Sequence, residues 1–315
     1  MDNQLPVTNE SETRFFLILA AALAILLILS LVFGLKSNRG DSSIPSEIVS
    51  QPFSEVHLVA KAAYVYDIRT GTVLFAKNEN TRLPLASLTK IMSALVAEDL
   101  SPLYGTITVS NEALSSEGDS GLYDGEKWSL KDLLDFSLLT SSNDGMRAVA
   151  LSLGALSKAG AGPEEIINDF VGEMNIKAGE LGLKNTYFWN ETGLDESDVK
   201  GGAYGTARDV STLMAHILAN YPELFAATRE VKTTITSLDN RAHVANNTNN
   251  IADEIPGLLA SKTGFTDTAG GNLAIVFDPE LGRPIVISIL GSTGDGRFED
   301  MRILIGAVMT YISSN

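Results

Sequence analysis

Apolar and polar positions along the chain define three regions, of which the first is a long uncharged run. Residues Phe15 to Leu35 contain no charged side chain, and Ser30 is the one hydroxyl among them. A helix of these 21 residues rises about 1.5 Å per residue and spans about 31 Å, the thickness of a bilayer core. We therefore expect a single transmembrane anchor at residues 15–35, preceded by a short cytoplasmic tail at residues 1–14.

The alternative for this run is a signal peptide that is removed. Such a peptide has a shorter apolar core, a basic start and an exit of small residues. Here Arg14 is the only basic residue before the run, and the exit reads Phe33-Gly34-Leu35-Lys36. We therefore favour the uncleaved anchor. The flanking basic residues are too evenly divided to give its orientation.

The remaining two regions are a linker and one folded domain. Residues 36–58 are rich in Ser, Gly, Pro and Asp without hydrophobic periodicity, which predicts a flexible linker. From residue 59 to residue 315 the pattern is that of a folded domain. It opens with β-type runs at residues 62–67 and 72–76, joined by a short turn ending in Gly71, which predicts a hairpin.

Helical spacing of apolar residues then marks the middle of this domain as largely α. The predicted helices begin just after Pro84, where Ser87 stands at or near the N-cap, and recur at residues 130–139, 144–153, 164–180 and 207–219. Strand patterns return at residues 231–236, 258–263, 272–277 and 285–291, and a terminal helix is predicted at residues 298–311. Strands at both ends predict an α/β (α+β) fold, whose single sheet carries an inserted all-α subdomain.

Composition excludes several classes of function. The formal net charge is −16, which disfavours nucleic acid as a partner. The absence of cysteine removes thiol nucleophiles, disulfides and Cys-ligated metals. The three histidines, His57, His216 and His243, are scattered and lack the spacing of metal ligands. We therefore expect neither a metal nor a cofactor.

A Ser-x-x-Lys motif occurs twice, and its surroundings separate the two copies. Ser197 and Lys200 lie in an acidic, glycine-terminated loop, where nothing would hold the lysine against the serine. Ser87 instead opens a predicted helix, so Lys90 returns to the same face one turn later. Alone, this pair also fits an ordinary capping serine beside a solvated lysine.

Two further motifs follow in order. Ser141-Ser142-Asn143 lies at the end of a predicted helix, and Lys262-Thr263-Gly264 lies on a predicted strand. Lys-Thr-Gly occurs nowhere else in the chain. Three short motifs in this order and on these elements are far less frequent by chance than any one of them.

The set resembles that of the penicillin-binding proteins and serine β-lactamases. It is most similar to the low-molecular-mass D-alanyl-D-alanine carboxypeptidases of serine peptidase family S11. The resembling stretches lie at residues 86–92, 139–144, 181–188, 206–209 and 262–270. The resemblance implies a β-lactamase/DD-peptidase-like fold, with an antiparallel sheet of about five strands flanked by helices. One position differs, since Gly145 follows Asn143-Asp144 where family members usually have alanine.

The resemblance also implies roles for the first two motifs. Ser87 would attack the penultimate D-alanine, and Lys90 would take its proton once burial and a neighbouring cation favour the neutral amine. Ser141 would relay a proton to the leaving amine, and Asn143 would orient Lys90. The backbone N–H groups of Ser87 and Phe265 would form the oxyanion hole.

The third motif would bind the substrate. Lys262 and Thr263 would receive its terminal carboxylate, and Gly264 would let the peptide lie along the strand. Arg297 resembles a family arginine near the carboxylate. An exposed arginine at the start of a helix is its alternative explanation.

The implied activity is removal of the terminal D-alanine from peptidoglycan stem peptides through an acyl-enzyme, with β-lactam antibiotics as inhibitors. Alternatives are a D,D-endopeptidase, a class A-like β-lactamase in which Glu191 assists deacylation, and a wall-binding module without activity. Many family members carry a C-terminal β domain and an amphipathic membrane anchor. We expect residues 15–35 to replace that anchor. A wall substrate implies a single-pass protein of the bacterial cytoplasmic membrane with an extracytoplasmic catalytic domain.

Overall fold

The computed structural model describes residues 52–157 and 160–314. The predicted tail and anchor, and most of the predicted linker, lie outside these ranges. Across the residues that are described, no helix has the length and apolar character needed to cross a membrane.

Six α-helices occur in the described ranges: α1 (Thr89–Leu100), α2 (Leu130–Thr140), α3 (Asn143–Gly154), α4 (Pro163–Glu180), α5 (Ala207–Asn220) and α6 (Gly296–Ser313). Strands in the same ranges are β1 (Ala62–Asp67), β2 (Thr72–Lys77), β3 (Leu83–Pro84), β4 (Thr106–Thr108), β5 (Lys127–Ser129), β6 (Tyr187–Phe188), β7 (Ala203–Gly205), β8 (Lys232–Thr236), β9 (Ala242–Asn246), β10 (Leu258–Thr266), β11 (Gly270–Phe277) and β12 (Ile285–Ser292). The long predicted helices and the predicted hairpin are confirmed, with shifts of a few residues at their ends.

The main sheet has five strands in the order β10-β11-β12-β1-β2. All four pairings are antiparallel. The two ends of the domain meet where Val65 of β1 lies opposite Ile287 of β12. This confirms the prediction of one antiparallel sheet built from both ends of the chain.

Alternation along the strands gives each face of the sheet its own apolar core. One face packs against α6 through Val65, Leu74, Ile275, Ile287, Met301 and Leu304. The opposite face joins the helical region through Tyr64, Val73, Ala274, Val276, Val286 and Leu290. Burial on both faces explains why the central strands read as nearly continuous apolar runs.

Helix α1 runs through the middle of the helical region. All nine residues from Thr89 to Ala97 are buried, because other helices surround this segment. A helix buried on every side needs no polar face. The helix therefore holds Lys90 in a dry environment.

The region inserted between β2 and β10 is not all-α, which corrects the prediction. Beside five helices it contains three small antiparallel sheets, β3-β7-β6, β4-β5 and β8-β9. The predicted strand at residues 231–236 belongs to the last of these and not to the main sheet. Short strands of two to five residues carry too little alternation to be read from sequence.

Candidate active site

Ser87 lies in a 3₁₀ turn, Ala86–Leu88, that leads directly into α1. The prediction of Ser87 at or near the N-cap is confirmed, because the N-cap is the next residue, Leu88. No side chain caps the first turn of α1. Ala86 has a φ of 48°, a left-handed conformation that is uncommon for a residue other than glycine. The hydroxyl of Ser87 is therefore used elsewhere than in capping.

A buried amide side chain holds the segment that precedes Ser87. Asn272 on β11 donates from Nδ2 to the carbonyl oxygens of Pro84 and Leu85, at 3.0 Å each. Its Oδ1 accepts from the N–H of Gly291 at 2.8 Å. Asn272 is fully buried, and its bonds to Leu85 and Gly291 are made away from water, where a hydrogen bond is worth most. Asn272 thus joins the segment that precedes Ser87 to the main sheet.

Lys90 is fully buried, and three oxygen atoms surround its amine. Nζ lies 3.0 Å from Ser87 Oγ, 2.7 Å from Asn143 Oδ1 and 2.9 Å from the carbonyl oxygen of Thr192. Burial lowers the pKa of Lys90 to about 7, although the Glu191 carboxylate opposes this shift. A neutral amine has two hydrogens and one lone pair. Since the amide and carbonyl oxygens can only accept, the lone pair is left for the serine O–H.

The Ser-Ser-Asn motif forms the junction between α2 and α3. Ser141 adopts a left-handed conformation with a φ of 61°, which turns the chain between the helices. Ser142 caps α3 by accepting from the N–H of Gly145 at 2.9 Å. Asn143 donates from Nδ2 to the carbonyl oxygen of Glu117 at 2.7 Å. That bond fixes the orientation of the amide, so its Oδ1 faces Lys90.

Lys262 on β10 supplies a second buried amine. Its Nζ donates to Ser141 Oγ and to the carbonyl oxygen of Thr263, both at 2.9 Å. Burial lowers the pKa of Lys262 well below its usual value, and the positive charges of Lys90 and Arg297 add to the effect. Each buried amine therefore lies within hydrogen-bond distance of one serine hydroxyl, Lys90 of Ser87 and Lys262 of Ser141.

The strand beyond Lys262 closes against the nucleophile segment. A Cβ on Gly264 would lie 2.9 Å from the carbonyl oxygen of Leu85 and 3.2 Å from the backbone nitrogen of Ser87. Glycine is therefore required here for contact within the chain, a reason that the sequence did not indicate.

Two further side chains complete this edge. The hydroxyls of Thr263 and Thr248 lie 2.6 Å apart. Arg297 donates from Nη1 to the carbonyl oxygen of Gly264 at 2.7 Å. Arg297 is partly buried, and burial lowers its pKa. It is thus built into the site edge and is not a solvated residue at a helix start.

An open groove runs along the site. Phe265 is 54% exposed at the rim of a cavity of about 380 Å³. The cavity is lined by Glu117, Leu194, Asp195, Ser197, Asp198, Phe265, Thr266 and Asp267. Because Glu117 also holds Asn143 through its backbone, the groove adjoins the reactive side chains.

The structure brings together the residues that the three motifs predicted. In the second Ser-x-x-Lys copy Ser197 lines the open groove, but the lysine side chain is turned to another residue. In that copy Lys200 lies over the ring of Trp189, 4.6 Å from its centroid. His243 is buried beside Glu126, as expected of a core histidine. Within residues 52–157 and 160–314, no cluster of three or more His, Asp or Glu side chains could hold a metal ion.

Sequence reasoning missed four groups that shape the site. Thr192 and Glu117 act through backbone carbonyls, which no side-chain motif reports. Thr248 and Asn272 act through contacts with segments distant in sequence. One signal was present, since the stretch from residue 188 to residue 195 resembles a loop of the family.

Known proteins resemble the chain over most of this domain. The family profile described as D-alanyl-D-alanine carboxypeptidase matches residues 46–291. The chain is 36% identical over 224 residues to D-alanyl-D-alanine carboxypeptidase DacF of Bacillus subtilis, which covers 69% of this chain and 53% of that protein. It is 32% identical over 251 residues to a D-alanyl-D-alanine endopeptidase of Pseudomonas aeruginosa, covering 78% and 76% respectively. The chain thus spans about half the length of the Bacillus relative.

Solved structures agree with these sequence matches. The crystal structure of a D-alanyl-D-alanine carboxypeptidase from Mycobacterium tuberculosis superposes with a TM-score of 0.68 at 27% identity. That match covers 81% of this chain and 92% of the other. The resemblance drawn from the three motifs is therefore confirmed, and the chain belongs to the D-alanyl-D-alanine carboxypeptidase family, peptidase family S11.

Proposed function

We propose that the protein is a serine-type D-alanyl-D-alanine carboxypeptidase acting on peptidoglycan stem peptides. The observation that carries this proposal is the buried Lys90 amine, 3.0 Å from Ser87 Oγ, with a pKa of about 7. Such an amine is a base at neutral pH, and the serine beside it is a nucleophile that lacks any other partner of suitable basicity in the described site.

Acylation begins when Ser87 Oγ attacks the carbonyl carbon of the penultimate D-alanine. The neutral Lys90 amine accepts the serine proton as the new C–O bond forms. The carbonyl oxygen becomes an oxyanion, for which the N–H groups of Ser87 and Phe265 are the donors in this proposal. The C–N bond then breaks, and the leaving amine takes a proton from Ser141, which Lys262 replaces. The products are an ester on Ser87 and free D-alanine.

Deacylation repeats the sequence with water as the nucleophile. The proton that Lys90 took from Ser87 first replaces the one that Lys262 gave up, so both amines return to their starting forms. The neutral Lys90 amine then takes a proton from the water as the water oxygen attacks the ester. The ester C–O bond breaks and Ser87 recovers its proton. The shortened peptide leaves with a new terminal carboxylate.

The terminal carboxylate of the substrate is assigned to the edge formed by Lys262, Thr263 and Arg297. This assignment rests on charge, because Lys262 and Arg297 donate to uncharged oxygens. A carboxylate is the anionic partner that both lack among these contacts. Charge-assisted hydrogen bonds of this kind are about twice as strong as neutral ones.

Mass spectrometry of a pentapeptide ending in D-Ala-D-Ala tests the activity. We expect loss of one alanine from the peptide with the full chain and none with Ser87→Ala. Ser313→Ala is the matched control, because Ser313 is an exposed serine at the end of α6 and belongs to none of the site residues described above. We also expect a fluorescent penicillin to label the full chain and the control variant, but not Ser87→Ala. Labelling of Ser87→Ala would overturn the assignment of the nucleophile.

An endopeptidase is the second candidate, because two of the relatives carry that name. Endopeptidases of Pseudomonas aeruginosa and Escherichia coli are covered over 76% and 66% of their lengths. Both reactions break the bond after the same D-alanine. A cross-linked muropeptide dimer separates the two, since only an endopeptidase converts it to monomers at a rate comparable to pentapeptide trimming.

A β-lactamase has less support. The carboxylate of Glu191 pairs with Arg147 at 3.3 Å through Oε1, and its Oε2 makes no hydrogen bond to Ser87 or to any other described residue. We therefore propose that deacylation of a β-lactam is slow. Nitrocefin should give a stoichiometric burst, whereas sustained turnover would contradict the carboxypeptidase assignment.

The cellular setting is also a proposal. Residues 15–35 would hold the protein in the bacterial cytoplasmic membrane, with the catalytic domain on the outer side where stem peptides are found. The uncharged run of apolar residues supports this anchor. Protease added to intact spheroplasts should digest the catalytic domain, and its protection would place the domain inside.

A further inference from the structure

Arg147 joins two segments that hold the reactive side chains. It lies four residues after Asn143 on α3, on the same face one turn later. Its Nη1 lies 3.3 Å from Glu191 Oε1, and its Nη2 lies 3.3 Å from Glu112 Oε1. The arginine is thus shared by two carboxylates from distant parts of the chain.

Each carboxylate belongs to a segment that contacts the Lys90–Asn143 pair. Glu191 precedes Thr192, whose carbonyl oxygen accepts from Lys90 at 2.9 Å. Glu112 opens the segment that leads to Glu117, whose carbonyl oxygen accepts from Asn143 at 2.7 Å. The short 3₁₀ turn Ala113–Ser115 connects these two positions. Both backbone acceptors of the pair are therefore tied to one guanidinium.

Charge gives Arg147 a second effect. Glu191 is 1% exposed, and its Oε2 has no hydrogen-bond partner. A buried carboxylate needs a nearby cation, which Arg147 provides. The charged groups facing Lys90 include this carboxylate from the loop and Lys262 from β10. Without Arg147, the Glu191 charge would act on Lys90 uncompensated.

We propose that Arg147 is a positioning residue for acylation: it holds the segments of Glu112 and Glu191 against the Lys90–Asn143 pair and neutralises Glu191 beside it. This inference rests on the proposed function and names a residue outside the three motifs. Arg147 touches neither the nucleophile nor the substrate edge among its recorded contacts.

The test uses the full chain and the second-order rate constant of acylation by a penicillin. We expect Arg147→Met to lower this rate constant about 10- to 100-fold, because small displacements of reacting groups have effects of that size. Arg147→Lys should recover part of the loss. The KM for the pentapeptide should change less than kcat, since substrate contacts are retained. Arg302→Met is the matched control, as Arg302 also bridges two carboxylates, Glu254 and Glu299.

The pH profile supplies a readout that a merely structural role would not move. Arg147→Met should shift the acid limb of acylation to higher pH, because the unpaired Glu191 charge favours the ammonium form of Lys90. Glu191→Gln should shift the limb to lower pH, because it removes that charge. Opposite shifts support the proposal, and shifts in the same direction overturn it.

The remaining outcomes are equally decisive. An Arg147→Met rate equal to that of the unmodified chain, or an equal loss in Arg302→Met, would overturn the proposal. Arg147→Lys keeps a cation beside Glu191, so it still tests the proposal where Arg147→Met fails to fold: a partial loss of the acylation rate supports the proposal, and an unchanged rate overturns it. If the unmodified chain acylates with penicillin but releases no D-alanine, the proposed function fails while the test of Arg147 stands.

Discussion

The acylation rate should titrate with Lys90 at a pH of about 7. The perturbation is pH itself, applied to the full chain, and the quantity measured is the second-order rate constant for acylation of Ser87 by a penicillin. Burial lowers the pKa of Lys90 from its usual 10.5 to about 7. Because only the neutral amine can accept the serine proton, the rate should rise as pH increases through this value and level off above it.

The size of the effect follows from the burial of Lys90. Lowering the pKa from 10.5 to about 7 corresponds to about 5 kcal/mol in favour of the neutral form. At pH 5 about 1% of the amine is neutral, and at pH 7 about half. The acylation rate should therefore fall about 50-fold from pH 7 to pH 5. A solvated lysine would instead give a rate that still rises tenfold per pH unit at pH 9.

Stopped-flow or gel-based labelling between pH 5 and pH 9 measures this profile. Asn143→Asp places a carboxylate where Oδ1 now lies 2.7 Å from Lys90 Nζ. It should move the acid limb up by about one to three pH units. Asn143→Ala is the matched control, since it removes the same donor to Glu117 without adding charge. Its limb should stay at or below pH 7.

Two results would show that the reasoning is wrong. A rate that does not change between pH 5 and pH 8 would mean that the neutral Lys90 amine is not required. A limb near pH 10 would mean that the site is wet and that burial does not act on Lys90. Circular dichroism at each pH separates loss of structure from loss of the base.

Three substitutions test how the site is built. Gly264→Ala places a Cβ 2.9 Å from the carbonyl oxygen of Leu85, so we expect the segment of Ser87 to shift. Penicillin labelling should show at least a tenfold loss of acylation, and thermal melting should show a loss of stability of about 1 to 3 kcal/mol. Gly193 has a φ of +83°, and in Gly193→Ala the added Cβ would collide with the carbonyl oxygen of Ala86. We expect the free energy of unfolding, measured by chemical denaturation, to fall by about 3 kcal/mol. Asn272→Leu leaves the carbonyl oxygens of Pro84 and Leu85 without a donor. We expect the free energy of unfolding, measured in the same way, to fall by about 2 to 4 kcal/mol, and an unchanged value would mean that water replaces the amide.

The sheet could be predicted from sequence because its residues obey a local rule. Residues such as Val65, Leu74 and Ile287 fall in runs whose type is visible over six to eight positions. The two-residue strands β3 and β6 escape such a rule, since nothing in so short a segment distinguishes a strand from a loop. They form because their partners in β7 are brought near by the helices.

The motifs predicted which side chains share the site, and the structure explains how they act. Ser87 and Lys90 are near in sequence, so a helical turn brings them together. The low pKa of Lys90 depends instead on burial by elements from other parts of the chain, such as the loop of Thr192. A spacing rule carries no information about desolvation. Similarly, the resemblance explains the glycine at position 264 by the room that a bound peptide needs, whereas a Cβ at this position would first meet Leu85 and Ser87 of the same chain.

Net charge likewise carries no information about the site, because it averages over the whole surface and the site is a desolvated volume. The chain carries −16, yet Lys90, Lys262 and Arg297 gather at one edge, and each has its pKa lowered by burial. Removing a cation from water without an anionic partner is costly. The hydrogen bonds of Lys262 and Arg297 described here reach a hydroxyl and carbonyls. Under the proposed function, an incoming carboxylate would supply the missing partner of Lys262 and Arg297, and the cost of burying their charges would then favour a peptide with a free C-terminus.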